Sequence, residues 1–265
     1  MWWRRQIVAI CVCARSLDHW KSREEAAFYS LMLPSVEATV SEDEKREWDI
    51  RLYVAIDDDD AFFKETVKEN EVKWPPIIVT EVKRRRNKIP FNENAKVAYD
   101  QGAAYFVRIN DDTEFVTNGW ITAGTKSLKE MVPENVGVVG PVSARGGDNR
   151  ILTHDMTHRN HMLIFKETYY APEFSAWWVD DWITEIYRPD RMKVVEGWEV
   201  VHHTAVHGTR YTVQANESLF LQRAVKRGKR AVEKWVNKSW GENDVLYAEE
   251  ISLLRVVNHE QSSKS

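Results

Sequence analysis

The chain has 265 residues, of which 43% are hydrophobic and 29% charged, and its 37 Lys and Arg against 41 Asp and Glu leave a formal charge of −4. A chain of this length buries about three-quarters of its unfolded surface, so it needs no disulfide or metal staple, and its composition excludes disordered, collagen-like and disulfide-scaffold classes. The slight acidic excess argues against general nucleic-acid binding, which leaves a basic footprint.

Residues 6–13 (QIVAICVC) read as a first strand rather than a secretory leader, because the apolar run is short. Alternation puts Cys11 and Cys13 on one strand face, and with no further zinc ligands nearby both are expected to be buried thiols. Ser22, Arg23, Glu24 and Glu25 have capping-box spacing, which predicts a helix through Ala26, Ala27, Phe28 and Leu31 that stops near Pro34. A second strand covers residues 51–56 and runs into Asp57, Asp58, Asp59 and Asp60. A helix is expected over 61–70, a strand over 76–82, and then a basic run over 83–88. Asn92 is read as the cap of a helix that Gly102 closes. The strand 105–109 ends at Asn110, Asp111, Asp112 and Thr113; a helix through Lys129 and a short strand at 136–139 follow.

The second half is less regular. Residues 140–150 form a loop with Gly146 and Gly147. Helices are expected over 176–187, 216–227 and 231–238, and a strand over 193–203. His154, His158 and His161 have the spacing of one helical face. The βαβα rhythm predicts an α/β fold with a mainly parallel, Rossmann-like central sheet flanked by helices. No run approaches the roughly 18 apolar residues of a membrane span, so no span is expected and a cytoplasmic location is.

In open α/β sheets ligands collect beyond the carboxyl ends of the strands. Two strands here end in carboxylates, at Asp57 to Asp60 and at Asp111 with Asp112, on what should be one rim. A third acidic pair, Asp180 and Asp181, lies among Trp177, Trp178 and Trp182. Crowded carboxylates call for a cation or a shared proton, and hard oxygen ligands suit Mg²⁺ or Mn²⁺. Such an ion, held by few protein groups, usually keeps a phosphate ligand, so the rim reads as a metal–diphosphate site.

The stretch YFVRINDDTEF (residues 105–115) resembles the D-x-D element of GT-A nucleotide-sugar glycosyltransferases, in which an apolar strand delivers an acidic turn to a metal and a sugar-nucleotide diphosphate. Asn110 stands where the first Asp is usual. The resemblance therefore implies Asp112 as the metal ligand, with Asn110 and Asp111 facing the donor. It further implies that Ala14, Arg15 and Ser16 meet the base, that Asp57 or Asp58 binds uridine, and that Asp181 is the catalytic base of an inverting reaction, with Asp180 beside it. A downstream histidine, His203 or His207 with His202 as a neighbour, matches the family's late metal or phosphate ligand. Lys88 and Arg84 are the candidates from the basic run for a diphosphate clamp, and Trp178 and Trp182, with Trp177, for acceptor contacts. The anchor-free form is also similar to glycosyltransferases encoded by large algal viruses.

The implied protein is one glycosyltransferase domain over 1–265: a nucleotide-sugar half (6–139), an acceptor and catalytic half (140–211) and C-terminal helices (212–265). It would use Mn²⁺ or Mg²⁺ to move xylose, galactose or glucose from a UDP-sugar to a glycan or glycoprotein acceptor, in glycan biosynthesis. A retaining enzyme of the same fold is the alternative within the class. Outside it, a carbohydrate-binding module with structural Ca²⁺ would use the Trp surface without a nucleotide. A D-x-D-x-T phosphatase is excluded because Ile109 occupies the nucleophile position, and a nucleotidyltransferase lacks its glycine-rich loop after the first strand.

Overall fold

The computed structural model describes residues 5–16, 20–68, 74–85, 88–144, 149–206 and 215–239. The expectations for His207, for Gly146 and Gly147 and for the end of the chain lie outside the described residues. The first strand, β1 (Ile7–Cys13), is buried on both faces, the pattern of a strand with helices on either side. A π-helical turn, Phe28–Met32, runs into α1 (Leu33–Thr39), and α2 (Glu42–Glu47) leads to β2 (Asp49–Asp57). Then come α3 (Ala61–Lys68), β3 (Ile77–Val82), α4 (Phe91–Asp100), β4 (Ala103–Asn110), β5 (Thr113–Phe115) and α5 (Trp120–Lys129). The rest comprises β6 (Val138–Ser143), β7 (Asp155–His158), α6 (Arg159–Ile164), α7 (Val179–Tyr187), β8 (Met192–His202) and α8 (Ala215–Ser239).

The eight strands form one sheet in the order β3-β2-β1-β4-β7-β6-β8-β5. Pairings from β3 to β4 are all parallel. The β4–β7 and β7–β6 pairs are antiparallel, so β6 regains the direction of β4, and β8 pairs with β6 in parallel. The carboxyl ends of β1, β4 and β8 therefore share one rim. Strand alternation sends Val8, Ile10 and Val12 into one core with Phe28 and Trp120, and Ile7, Ala9 and Cys11 into the other with α4, α7 and α8.

Several local expectations are corrected. Residues 22–25 form turns, because the Glu25 carboxylate accepts from the Lys21 N–H at 2.7 Å instead of capping a helix. The capping box that does form is at α2, where Glu44 N–H donates to Ser41 Oγ and Ser41 N–H to Glu44 Oε2. Asn92 lies inside α4, whose N-cap is Pro90; its Oδ1 accepts from the backbone of Tyr169 and Tyr170 at 3.0 and 2.7 Å. Gly102 does end α4, at φ +89°, where a glycine avoids the Cβ penalty. The three histidines share no helical face: His154 precedes β7, His158 caps α6 and His161 lies within it. The two C-terminal helices are one, α8. Gly228 lets it approach α7 so closely that a Cβ would lie 2.4 Å from Ile186.

Candidate active site

A cavity of about 430 Å³ opens beyond the rim formed by β1, β4 and β8, lined by Cys13, Asn110, Asp111, Asp112 and His202 from the strand ends. Its far wall is the segment that enters α7: Ala176, Trp177, Val179 and Asp180. Two features fix that wall. Ile89 N–H donates to Ser175 O at 2.8 Å, and Trp178 sits at φ +69° as the N-cap of α7. That left-handed conformation is costly for a side chain as large as Trp, and it turns the backbone just before Asp180. Asp180 lines the cavity and Asp181 is not among its lining residues.

At the mouth of β4, His202 Nε2 lies 3.1 Å from Asp112 Oδ1 and 3.0 Å from Asn110 Nδ2. One ring nitrogen cannot accept from the amide and donate to the carboxylate at once. His202 and Asp112 stand side by side at the rim, and a cation bound between them would take the Nε2 lone pair in place of the Asn110 amide. Behind it His154 meets His202 edge-on, with centroids 5.0 Å apart, and its Nε2 lies 2.8 Å from Thr113 Oγ1. Burial, reinforced by His202 and Arg108, holds the His154 imidazole well below its ordinary pKa, so this ring is neutral. Burial likewise pushes the Cys13 thiol far up, which makes it a cavity wall rather than a nucleophile.

The cavity floor is a buried ionic cluster. Arg108 on β4 pairs in register with Asp155 on β7. Its guanidinium donates to Thr153 O and lies over the Phe91 ring, 4.4 Å from the centroid. Asp155 accepts from the hydroxyls of Tyr169 and Tyr170, the latter at 2.5 Å. Burial pushes the Asp155 carboxyl up to about 6, against the pull of Arg108 and the two hydroxyls. Sequence reading missed Arg108, Thr153 and Asp155, and it named Trp177 only as one of three tryptophans in the segment. Only Arg108 carried a signal, a charge inside an otherwise apolar strand.

The expected site residues divide into two groups. Asn110, Asp111, Asp112 and Asp180 line the cavity. Ala14, Arg15, Ser16, Asp57, Asp58 and Lys88 do not. Arg15 forms a buried ion pair with Asp57, and Ser16 donates from N and Oγ to Asp60 at 2.7 and 2.8 Å. Asp58 accepts from Arg84 N, and Arg84 reaches Asp59 at 2.8 Å. Lys88 is half-buried, and desolvation followed by Arg85 lowers its ammonium pKa against the pull of Glu217. His203 turns away from Asp112 to Glu114, 2.8 Å from it, because successive strand residues face opposite sides. Its neighbour His202 takes the position expected for it. Trp182 is 3% exposed and packs in the core against Phe165, and Trp178 is half-buried beside that core. The ring on the cavity is Trp177, 41% exposed.

No protein-family model and no curated protein matches the sequence. Solved structures do. The chain is similar to GalNAc-T7 with UDP, GalNAc and Mn²⁺ at TM-score 0.54 and 10% identity, over 75% of this chain and 44% of that one. It is similar to S. aureus TarS 1-349 in complex with UDP-GlcNAc at TM-score 0.54 and 12% identity, over 84% of this chain and 66% of that one. The mannosyltransferase PcManGT from Pyrobaculum calidifontis, in complex with GDP-Man and Mn²⁺, aligns at TM-score 0.53 and 10% identity, over 97% of this chain and 81% of that one. The fold is GT-A. The chain thus spans under half of the GalNAc-T7 chain and about two-thirds of the TarS one. Among the described residues no helix is long and apolar enough to cross a membrane.

Proposed function

We propose that this GT-A protein is a metal-dependent, inverting glycosyltransferase that moves a sugar from a UDP-sugar to a glycan hydroxyl. One observation carries the reading: the Asp112–His202 pair and Asp180 line the same cavity beyond the strand ends. Three similar solved chains are in complex with UDP, UDP-GlcNAc or GDP-Man, two of them with Mn²⁺. Uridine and the choice among glucose, galactose and xylose rest on the D-x-D resemblance.

Among the described residues no three His, Cys, Asp or Glu side chains gather into a metal cluster. A carboxylate and one imidazole are the donor set of an ion that completes its shell with water and substrate phosphate, as Mg²⁺ and Mn²⁺ do. Asp112 and His202 fit that role, with Mn²⁺ and Mg²⁺ both compatible. When bound, the ion supplies charge stabilisation for the departing diphosphate. With the ion bound, the Asn110 amide no longer shares Nε2 and faces the donor. Asp111, buried at the rim, faces the donor sugar or ribose. The loop of Ala14 to Ser16 and the Asp57–Asp58 turn lie outside the cavity lining, with Arg15 and Ser16 held by Asp57 and Asp60, so a uridine role for Asp57 or Asp58 rests on the resemblance alone.

Asp180 is the base in this proposal, in place of Asp181. It takes the proton of the acceptor hydroxyl while the oxygen attacks the anomeric carbon from the face opposite the diphosphate, which inverts the configuration. Trp177 offers a flat apolar face to an acceptor sugar, as aromatic rings do for amphipathic ligands.

The test is thermal unfolding with UDP, GDP, CDP and ADP, each with and without Mn²⁺. A ligand at 100 times its dissociation constant adds about 2.7 kcal/mol of stability. Selective stabilisation by UDP with Mn²⁺ supports the donor class. A shift with free sugars or Ca²⁺ and none with any nucleotide replaces the transferase with a carbohydrate-binding module. Product analysis that finds the anomeric configuration retained removes the role of Asp180 as base.

A further inference from the structure

Of the described helices, α8 carries the strongest net charge. Over its 25 residues α8 carries seven Lys and Arg against two carboxylates, Glu217 and Glu233, a local excess of five positive charges in a chain of net charge −4. Only Arg227 is engaged, with Glu173; the other cations of α8 make no ion pair with another described residue. The inward face is committed to packing, through Ala224, Val232 and Val236 in the core. Arg223, Lys226, Arg230 and Lys234 lie on the outward, exposed face. The same face begins with two bare apolar side chains, Leu219 at 77% and Phe220 at 43% exposure.

A second observation lies beside the helix. A cavity of about 420 Å³ with apolar walls, including Phe165, Trp182 and Ala224, has Lys166 and Arg227 among its lining residues. Tyr170 lines it too, and the same Tyr170 hydroxyl binds Asp155 beneath the active-site cavity.

We propose that the outward face of α8 is a docking surface for an anionic lipid membrane. From Leu219 to Lys234 the helix spans roughly 22 Å, so its unpaired cations form a row rather than a cluster. A row matches a plane of anionic headgroups better than it matches one small anion. Each Lys or Arg near such a surface adds to the attraction, and exposed Leu and Phe side chains insert at the headgroup boundary. Long cationic side chains keep their charge in the headgroup layer while their stems cover apolar surface. No membrane-spanning helix is required for this arrangement.

The test is co-sedimentation of the full chain with vesicles of phosphatidylcholine alone and with vesicles one-third phosphatidylglycerol, at low and high salt. The expected result is at least about tenfold tighter binding to the anionic vesicles at low salt, weakening steeply as salt rises. The combined variant Arg223→Glu, Lys226→Glu and Arg230→Glu should lose this preference while keeping its circular-dichroism melting curve. Should that variant fold poorly, Leu219→Ser with Phe220→Ser reports separately, by lowering binding to anionic vesicles without changing the surface charge. Equal binding to both vesicle types overturns the proposal. So does anionic-vesicle binding that survives both sets of substitutions, or an RNA duplex that binds through the same cations while vesicles do not.

Discussion

The carboxylates after β2 and those after β4 lie on the same rim of one sheet and look alike in sequence, but they are satisfied in different ways. Asp57 is closed by Arg15, Asp60 by Ser16 and the start of α3, and Asp58 with Asp59 by Arg84. That cluster is neutralised by its own neighbours and holds two loops together. Asp111 and Asp112 instead line a cavity, and the side chain beside Asp112 is a histidine rather than a guanidinium. An arginine fixes its proton and fills the coordination of the carboxylate. An imidazole can present a lone pair to the same cation that the carboxylate binds. The comparison teaches that two acidic strand ends alike in sequence can be turned by the fold to different surroundings, one to guanidinium partners and the other to a cavity and an imidazole.

The sharpest break of that comparison is at the opposite wall. Asp180→Asn should lower turnover by about 10²–10⁴-fold while UDP with Mn²⁺ still raises the melting temperature; Asp181→Asn should change turnover by less than about fivefold. If the two effects are reversed, the base has been misassigned. Asp112→Asn should lower turnover by about 10²-fold or more and abolish the Mn²⁺-dependent part of nucleotide stabilisation. Near-normal metal dependence in that variant, measured by the same melting curves, would remove the Asp112–His202 site.

At the other acidic cluster the effect should fall on stability. Arg15→Ala strands Asp57 in a buried position and should cost about 3 kcal/mol in denaturant unfolding. The apparent affinity for Mn²⁺ in the presence of UDP should not change. A loss of metal affinity with no loss of stability would show the two clusters to be interchangeable after all.

The smallest effect is a slope. Burial lowers His158 and His161 to about 4, and His154 in the same direction. A depressed folded-state pKa gives stability that is present above the unfolded value near 6.5 and is lost as pH falls toward 4. Asp155 works the other way: its carboxyl is raised to about 6, so its contribution is present below the ordinary Asp value and is lost as pH rises through 6. Three histidines against one aspartate should make the protein less stable as pH falls from 6.5 to 4. His158→Asn keeps a side chain that can cap α6 and removes one titrating ring, so the melting temperature should fall less steeply over that window. An unchanged slope would mean that His158 is not neutral in the fold.

Much of the parallel half was legible because its signals are local. The run IVAICVC is apolar on both faces, as a central strand must be, and β2 and β4 carry equally plain β-branched runs that end in acids. The short strands β5 and β7 were not legible. Thr113–Phe115 and Asp155–His158 are strands only because β8 and β4 offer them partners. The capping-box spacing at Ser22 was a true local signal that lost to a tertiary one. Ala26, Ala27 and Phe28 are buried, and the helical segment that begins there follows their packing rather than the cap.

By itself the sequence determined which residues could carry charge to the rim, since a strand followed by carboxylates puts them at its carboxyl end in any parallel sheet. It also determined that Asp112 and Asp180 were candidates. It could not decide between Asp180 and Asp181, between His202 and His203, or among the tryptophans. Each choice depends on which way a side chain faces, and neighbours one residue apart differ in that by half a turn on a strand or by about 100° on a helix. Only the tertiary structure fixed those directions, through the register of β8 on β5 and the left-handed turn at Trp178. It also turned one acidic cluster to guanidinium and backbone partners and the other to the wall of a cavity.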